Sequence, residues 1–257
     1  ATAYLLGILV GDKPQDAELQ TRLLEINLLY SPIEVPDKIM AQELFTHYDK
    51  ERIAKLCERV GLYQRALENY SSLEDRKRVI VYTQYINQEW LENFFGQKLS
   101  ADEALELLRV LLRHNLRQNL RIVVGVAAKY EKQLGVENLI ALFEEFKTYE
   151  GLFYFLGSII DFSDNPDVHF KYIEAATKTG HLSEVERITR DSNFYDPQKT
   201  KEFLKSVKLA DMTPLINVCD KHNMVEELVT YLYSNQMIKY IDIYVKQRNP
   251  LKTPQVV

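Results

Sequence analysis

An all-α fold, a right-handed zigzag solenoid of stacked antiparallel helical hairpins, is what this 257-residue sequence predicts. Three observations predict it. In HYDKERIAKLCERVGLYQRALENYSS, residues 47–72, Ile53, Leu56, Cys57 and Val60 fall three and four apart before Gly61, and Leu62, Ala66, Leu67 and Tyr70 follow the same spacing after it. Two amphipathic helices therefore meet at a glycine, the residue that enters the left-handed C-cap conformation without a Cβ clash. Second, the pattern returns around Gly135, Gly180 and Asn223. With Gly96 added, the turn residues Gly61, Gly96, Gly135, Gly180 and Asn223 lie at intervals of 35, 39, 45 and 43 residues, a degenerate helix-pair repeat. Third, no segment alternates as a half-buried strand does; even the β-branched, tyrosine-rich stretch 79–86 is spaced helically. Two short helices cannot bury both apolar stripes in each other, so each hairpin needs neighbours.

The elements follow in order. Residues 1–11 are short and apolar, and residues 15–30 carry Leu19, Leu23, Ile26 and Leu29 at helical spacing until Ser31-Pro32 and Pro36 break the run. After the 47–72 hairpin, residues 73–85 and 88–95 form the next pair, with Trp90 expected in the core. Ser100-Ala101-Asp102-Glu103 is a capping box opening a helix that closes at His114-Asn115, and another runs from Leu116. Gly125 falls inside that helix, which costs about 1 kcal/mol against alanine and implies close approach by a neighbour. Residues 136–146 are amphipathic, and GLFYFLGSII, residues 151–160, is apolar nearly all round, predicting the most buried helix.

Six prolines follow a residue that can cap a helix: Ser31-Pro32, Asn165-Pro166, Asp196-Pro197, Thr213-Pro214, Asn249-Pro250 and Thr253-Pro254. Such pairs start helices, because the side chain accepts from an orphan amide and proline has no N–H to waste. Ser183-Glu184-Val185-Glu186 offers a second capping box, just inside its helix or at its start. The array divides into residues 1–46, the end of a preceding repeat, residues 47–192, a central repeat, and residues 193–257, the start of the next. A chain that begins at Ala1 and ends at Val257 reads as an excised segment of something longer.

Composition excludes several function classes. Hydrophobic residues at 46% and charged residues at 27% place the chain among folded proteins. A formal charge of −5 leaves no cationic footprint for nucleic acid; Arg76-Lys77-Arg78 is the one basic cluster and reads as a solvated face. Cys57 and Cys219 occupy apolar helix positions without a Cys-x-x-Cys spacing, as reduced packing residues do. The longest apolar run, 152–160, is too short to cross a bilayer.

No catalytic constellation has the required spacing. Gly151 and Gly157 bracket five residues and Ser158 stands where a phosphate loop needs lysine. Asp161, Ser163, Asp164 and Asp167 suggest a calcium loop, but Pro166 replaces its glycine and Tyr172 its closing glutamate. His47, His114, His169, His181 and His222 are scattered, with no carboxylate or cysteine at ligand spacing. On an assembly surface they would make association pH-dependent. The chain is therefore expected to be no enzyme and to hold no cofactor or metal.

FTHYDKERIAKLCERVGLYQRALENY, NQEWLENFFG, RQNLRIVVGVAAKYEKQLG, KTYEGLFYFLGSIIDFSDNPDVHFKYIEAATKTG and VERITRDSNFYDP closely resemble the clathrin heavy chain, from Leu19 onward. The resemblance implies a distal-leg segment of heavy-chain repeats, a structural strut of a triskelion that assembles into the polyhedral lattice of coated vesicles in endocytosis and intracellular traffic. It implies a cytoplasmic location on coated pits and vesicles. It implies other heavy chains as partners, trimerised through a C-terminal region not in this sequence. Light chain, adaptors and uncoating factors would bind the full-length molecule mostly elsewhere, with no nucleic acid and no transmembrane contact. The competing reading is a tetratricopeptide-type scaffold, for which Gly61, Ala66 and Tyr70 have the right relative spacing; intervals that depart from about 34 residues oppose it. The same repeat in a vacuolar tethering complex would lack the strings above.

Overall fold

The structure, a computed structural model, describes residues 2–9, 11–207 and 209–248. Every regular element among them is helical. Contacts divide the chain into two compact units, Ala1–Leu142 and Phe143–Val257. The first holds α1 (Thr2–Ile8), α2 (Ala17–Tyr30), α3 (Glu34–Ala41), α4 (Lys50–Val60), α5 (Tyr63–Asn69), α6 (Leu73–Ile80), α7 (Gln88–Gln97), α8 (Ala101–Lys129) and α9 (Glu131–Leu134), and the boundary falls within α10 (Val136–Glu145). The second continues with α11 (Tyr149–Ile159), α12 (Pro166–Lys178), α13 (Leu182–Asp191), α14 (Pro197–Ser206), α15 (Thr213–Lys221), α16 (Val225–Ser234) and α17 (Ile238–Ile243).

Within each unit the main contacts join a helix to the next or the next but one. In the first, α4 packs on α5 and on α2, and α8 on α7 and α6. In the second, α12 packs on α11, α13 and α14, and α15 on α13, α14 and α16. Neighbour-only packing is how stacked hairpins bury their stripes. Ile53, Ala54 and Cys57 of α4 and Ala66 and Leu67 of α5 are fully buried. Burying a Leu- or Ile-sized side chain contributes about 1.5–3 kcal/mol.

Several helix starts are side-chain capped. The Ser100 hydroxyl and the Glu103 carboxylate satisfy each other's backbone amides, the capping box read from sequence. Asn165 Oδ1 accepts from Asp167 N–H at 2.9 Å and Asp196 Oδ1 from Lys199 N–H at 2.9 Å, each with proline in the first turn. Other expectations are corrected. Thr213 does not cap α15: Asp211 accepts both its N–H (3.0 Å) and its hydroxyl (2.8 Å). α13 starts at Leu182 with His181 before it and no side-chain cap, so Ser183 makes no capping box. Pro36 is buried in the first turn of α3, where its missing N–H costs no helical bond. Asn249-Pro250 and Thr253-Pro254 lie outside the described residues.

α8 is broken where the sequence places its division. Asn115 is extended (φ −155°, ψ 94°), and its Oδ1 accepts from Gln118 N–H at 3.1 Å, starting the second half as a cap would. Gly125 in that half meets α7, since a Cβ there would stand 3.0 Å from Glu92 Oε1.

Five side chains lie otherwise than their periodicity implies. Leu19, Ile26 and Leu29 of α2 are 49%, 47% and 48% exposed, while Leu23, Leu24 and Leu28 are buried. The helix is apolar on more than one face, and α3 and α4 both pack on it. Trp90 is half-buried and stacks on Phe94, with ring centroids 5.2 Å apart. In α11, Leu152, Phe155 and Leu156 are buried as expected, yet Tyr154 is half exposed.

Candidate functional site

In a chain of helix pairs the functional parts are the turns that fix geometry, the clamps that hold pairs together and the surfaces left open. At Gly61 (φ 86°, ψ 10°) the Leu62 N–H donates to Cys57 O at 2.8 Å and the Gly61 N–H to Glu58 O at 3.2 Å, the Schellman arrangement. Gly180 (φ 80°) and Asn223 (φ 57°) repeat it, with His181 N–H on Ala176 O and Met224 N–H on Cys219 O, both at 2.8 Å.

Two further turns share the motif through residues that sequence reading does not mark. At Lys147 (φ 51°) the Thr148 N–H donates to Phe143 O at 3.0 Å, and at Gln236 (φ 58°) the Met237 N–H donates to Leu232 O at 2.8 Å. No signal announces them, because neither residue type favours positive φ. Gly135 has φ 83° but ψ 124°, an extended crossing between α9 and α10 rather than a left-handed cap.

Gly96 is not a turn. It lies inside α7, one residue before the helix ends, and a Cβ there would stand 2.0 Å from Tyr130 Cε1. Its glycine serves close approach to the Tyr130 ring, not chain reversal.

Matching clamps hold a hairpin in each unit. Glu58 accepts from the Tyr70 hydroxyl at 2.6 Å and from Arg78 Nε and Nη2, each at 2.8 Å. The Arg78 hydrogen bonds hold the Glu58 carboxyl below the ordinary 4.5, while burial pushes the Tyr70 phenol up. In the second unit Glu184 accepts from the Tyr172 hydroxyl and from Arg187 Nε, both at 2.9 Å, and burial, with the Glu184 bond, pushes Tyr172 up to about 12. The basic cluster is held by carboxylates and not free in solvent: Arg76 reaches Glu103, Lys77 reaches Glu74, and Arg78 reaches Glu58 and Asp75.

The histidines do not converge, and among the described residues no three His, Cys, Asp or Glu groups gather as a metal site. His47 and His114 are exposed. His169 is buried, with Nε2 2.6 Å from Ser163 O and Nδ1 2.9 Å from Ser192 Oγ; the carbonyl only accepts, so Nε2 carries the proton. His181 stacks on Phe153 at 4.1 Å. His222 has a buried Nε2 without a hydrogen-bond partner, and burial, with Lys221 adjacent, lowers its pKa. Burial pushes Cys57 up to about 12 and Cys219 to about 11, which leaves both thiols unreactive. No helix of the described residues is long and apolar enough to cross a membrane.

Two open features stand out among the described residues. In the first unit a cavity of about 530 Å³ is walled by Phe45, Tyr48, Trp90 and Phe94, with Lys50 and Lys98 also lining it. Arg65 engages Glu68, another lining residue, at 2.9 Å. In the second unit Phe162 is 92% exposed at the end of a 3₁₀ turn, Ile160–Phe162, flanked by exposed Asp161, Asp164 and Asp167. Sequence patterning shows neither, since exposure and cavities arise from tertiary packing.

A family model described as "Clathrin: Region in Clathrin and VPS" matches residues 1–120 and 127–257. The chain is 54% identical over 256 residues to a probable clathrin heavy chain 1 of Caenorhabditis elegans, covering 100% of this chain and 15% of that protein. It is 53% identical over 256 residues to clathrin heavy chain 2 of Homo sapiens, covering 100% of this chain and 16% of that protein. It is 54% identical over 257 residues to clathrin heavy chain 2 of Oryza sativa subsp. japonica, again covering all of this chain and 15% of the relative. The chain thus spans about 15% of the length of these curated relatives.

Proposed function

The chain belongs to the clathrin heavy-chain family, and from that premise we propose that it is a non-catalytic strut of a coat, a distal-leg segment of the heavy chain. The observation that carries this reading is identity of 54% along the whole segment, coupled with packing in which each helix leans on its sequence neighbours. A load-bearing leg needs local stiffness, and small rotations added over successive pairs let it adapt to differently curved cages. Contacts that are weak singly hold a lattice collectively and still permit disassembly.

On this reading residues 47–192 make a central heavy-chain repeat between the end of one and the start of the next, in a right-handed stack. The segment works on the cytoplasmic face of coated pits and vesicles. Its immediate partners are other heavy chains; trimerisation, light chain, adaptors and uncoating factors engage mostly other parts of the full-length molecule. A vacuolar tethering subunit would share the fold, but the likeness to named clathrin heavy chains favours the coat.

Electron cryomicroscopy of lattices assembled from the full-length heavy chain tests the reading. Density for these helix pairs in the leg beyond the knee, on the side remote from the hub, is expected. Density at the hub would overturn the distal-leg position, and failure of the full-length chain to form any lattice would overturn the coat function.

A further inference from the structure

We propose that the Trp90 cavity receives Phe162 from a second copy of the chain, as a head-to-tail contact between legs; this rests on the coat reading above. Phe162 exposes 92% of its surface, the largest fraction of any large apolar residue described. A phenylalanine left this open forgoes its burial energy within its own chain, and aromatic anchors of this kind dominate interfaces.

The knob is held in position. Ile160 beneath it is buried, the Asn165 N–H donates to Ser163 Oγ at 3.3 Å, and His169 Nε2 meets Ser163 O at 2.6 Å. These bonds fix the backbone that carries Phe162, so docking has only the side chain's own rotamers to order.

The cavity can admit the ring and is complementary to its flanks in charge. Its volume of about 530 Å³ leaves room for a benzyl group, and Phe45, Tyr48, Trp90 and Phe94 offer it aromatic contacts in a wall that also carries Asn69, Asn93 and Gln97. Lys50 and Lys98 also line it, exposed and without an ion pair among the described residues, whereas Glu68 is paired with Arg65. Glu43 is the one lining carboxylate without such a partner. The knob brings carboxylates: Asp161 and Asp167 are 66% and 74% exposed despite ion pairs with Arg187 and Lys199, and Asp164 is exposed beside them. Opposite charges ringing an aromatic anchor set orientation and association rate. Because knob and cavity are different surfaces, the contact is heterologous and propagates from copy to copy instead of closing a dimer.

The test uses the full-length heavy chain with a photoreactive benzoylphenylalanine at position 162, mixing isotopically light and heavy copies. A crosslink from position 162 to the peptide bearing Trp90 or Phe94 of the other isotope is expected. Phe162→Ser, a fully exposed change that leaves the fold intact, should raise the critical concentration for assembly at least about tenfold. Lys50→Glu with Lys98→Glu should do likewise, and Asp161→Lys with Asp164→Lys should restore assembly to that variant. Crosslinks only to other proteins or to other parts of the heavy chain, or a Phe162→Ser chain assembling at the wild-type concentration, would overturn the contact while leaving the coat reading standing. If wild-type chains form no lattice, the coat reading falls, and the crosslink in solution alone decides the contact.

Discussion

Asn119 Nδ2 donates to the Leu111 carbonyl at 2.9 Å, across the break that Asn115 makes in α8. The break frees carbonyls that the helix would otherwise satisfy, and the buried Asn119 amide supplies one partner. Its Oδ1 accepts from the Thr83 hydroxyl at 2.9 Å, so one side chain both repairs the kink and ties it to Thr83–Tyr85, a 3₁₀ turn between α6 and α7. Asn119→Leu should destabilise the chain by about 2–3 kcal/mol through unsatisfied buried groups. Thr83→Val should cost less, and the double variant less than the two together. Urea denaturation followed by circular dichroism measures all three.

Gly96→Ala should destabilise through the Tyr130 ring, by about 1–3 kcal/mol. Adding Tyr130→Ala should recover part of that loss, since the ring is the obstacle. A melting temperature unaffected by Gly96→Ala would mean the ring swings aside freely.

Gly180→Ala meets no atom within 4 Å, so its cost is confined to positive φ, about 1–2 kcal/mol. Gly180→Val should cost more and Gly180→Asn least, because β-branching opposes and asparagine tolerates the left-handed region. Differential scanning calorimetry should rank the three in that order.

Acid should loosen the Glu58 clamp. A carboxyl held below its ordinary 4.5 contributes stability that is fully present above that value and is lost as pH falls through its folded value. Glu58→Gln should therefore lower stability at pH 7 and flatten its dependence below about pH 4.5. Urea midpoints between pH 7 and 3 provide the comparison.

His222 works at milder acidity. Burial lowers its folded pKa beneath the ordinary 6.5, so the unfolded chain binds the proton first and stability declines as pH drops below 6.5. His222→Phe keeps a ring against Tyr195 and removes the titration. The variant should lose less stability than wild type between pH 7 and 5, as read by urea midpoint.

How much of this was legible depends on whether a residue's chemistry has one use or several. Gly61, Gly180 and Asn223 announce their turns, because left-handed backbone is what glycine and asparagine do best after an amphipathic run. Lys147 and Gln236 adopt the same conformation under constraint from the packed helices on either side, and neither side chain shows it. Gly96 and Gly61 look alike in the sequence but answer different demands, room for a neighbouring ring and freedom of φ. In α2, periodicity identified apolar faces but not which one is covered, so Leu19 and Ile26 were expected inside. Asn115 was legible as a division because asparagine caps helices; Asn119, one turn later, was silent, since its task depends on a carbonyl the break exposes.

Cys57 and Cys219 lie one in each unit, both sealed and both with ionisation suppressed. Alkylating reagents can reach either sulfur only when the surrounding helices part, so the chain carries two native clocks. Their labelling half-lives, followed separately by peptide mass, would report how often each half breathes without any added probe.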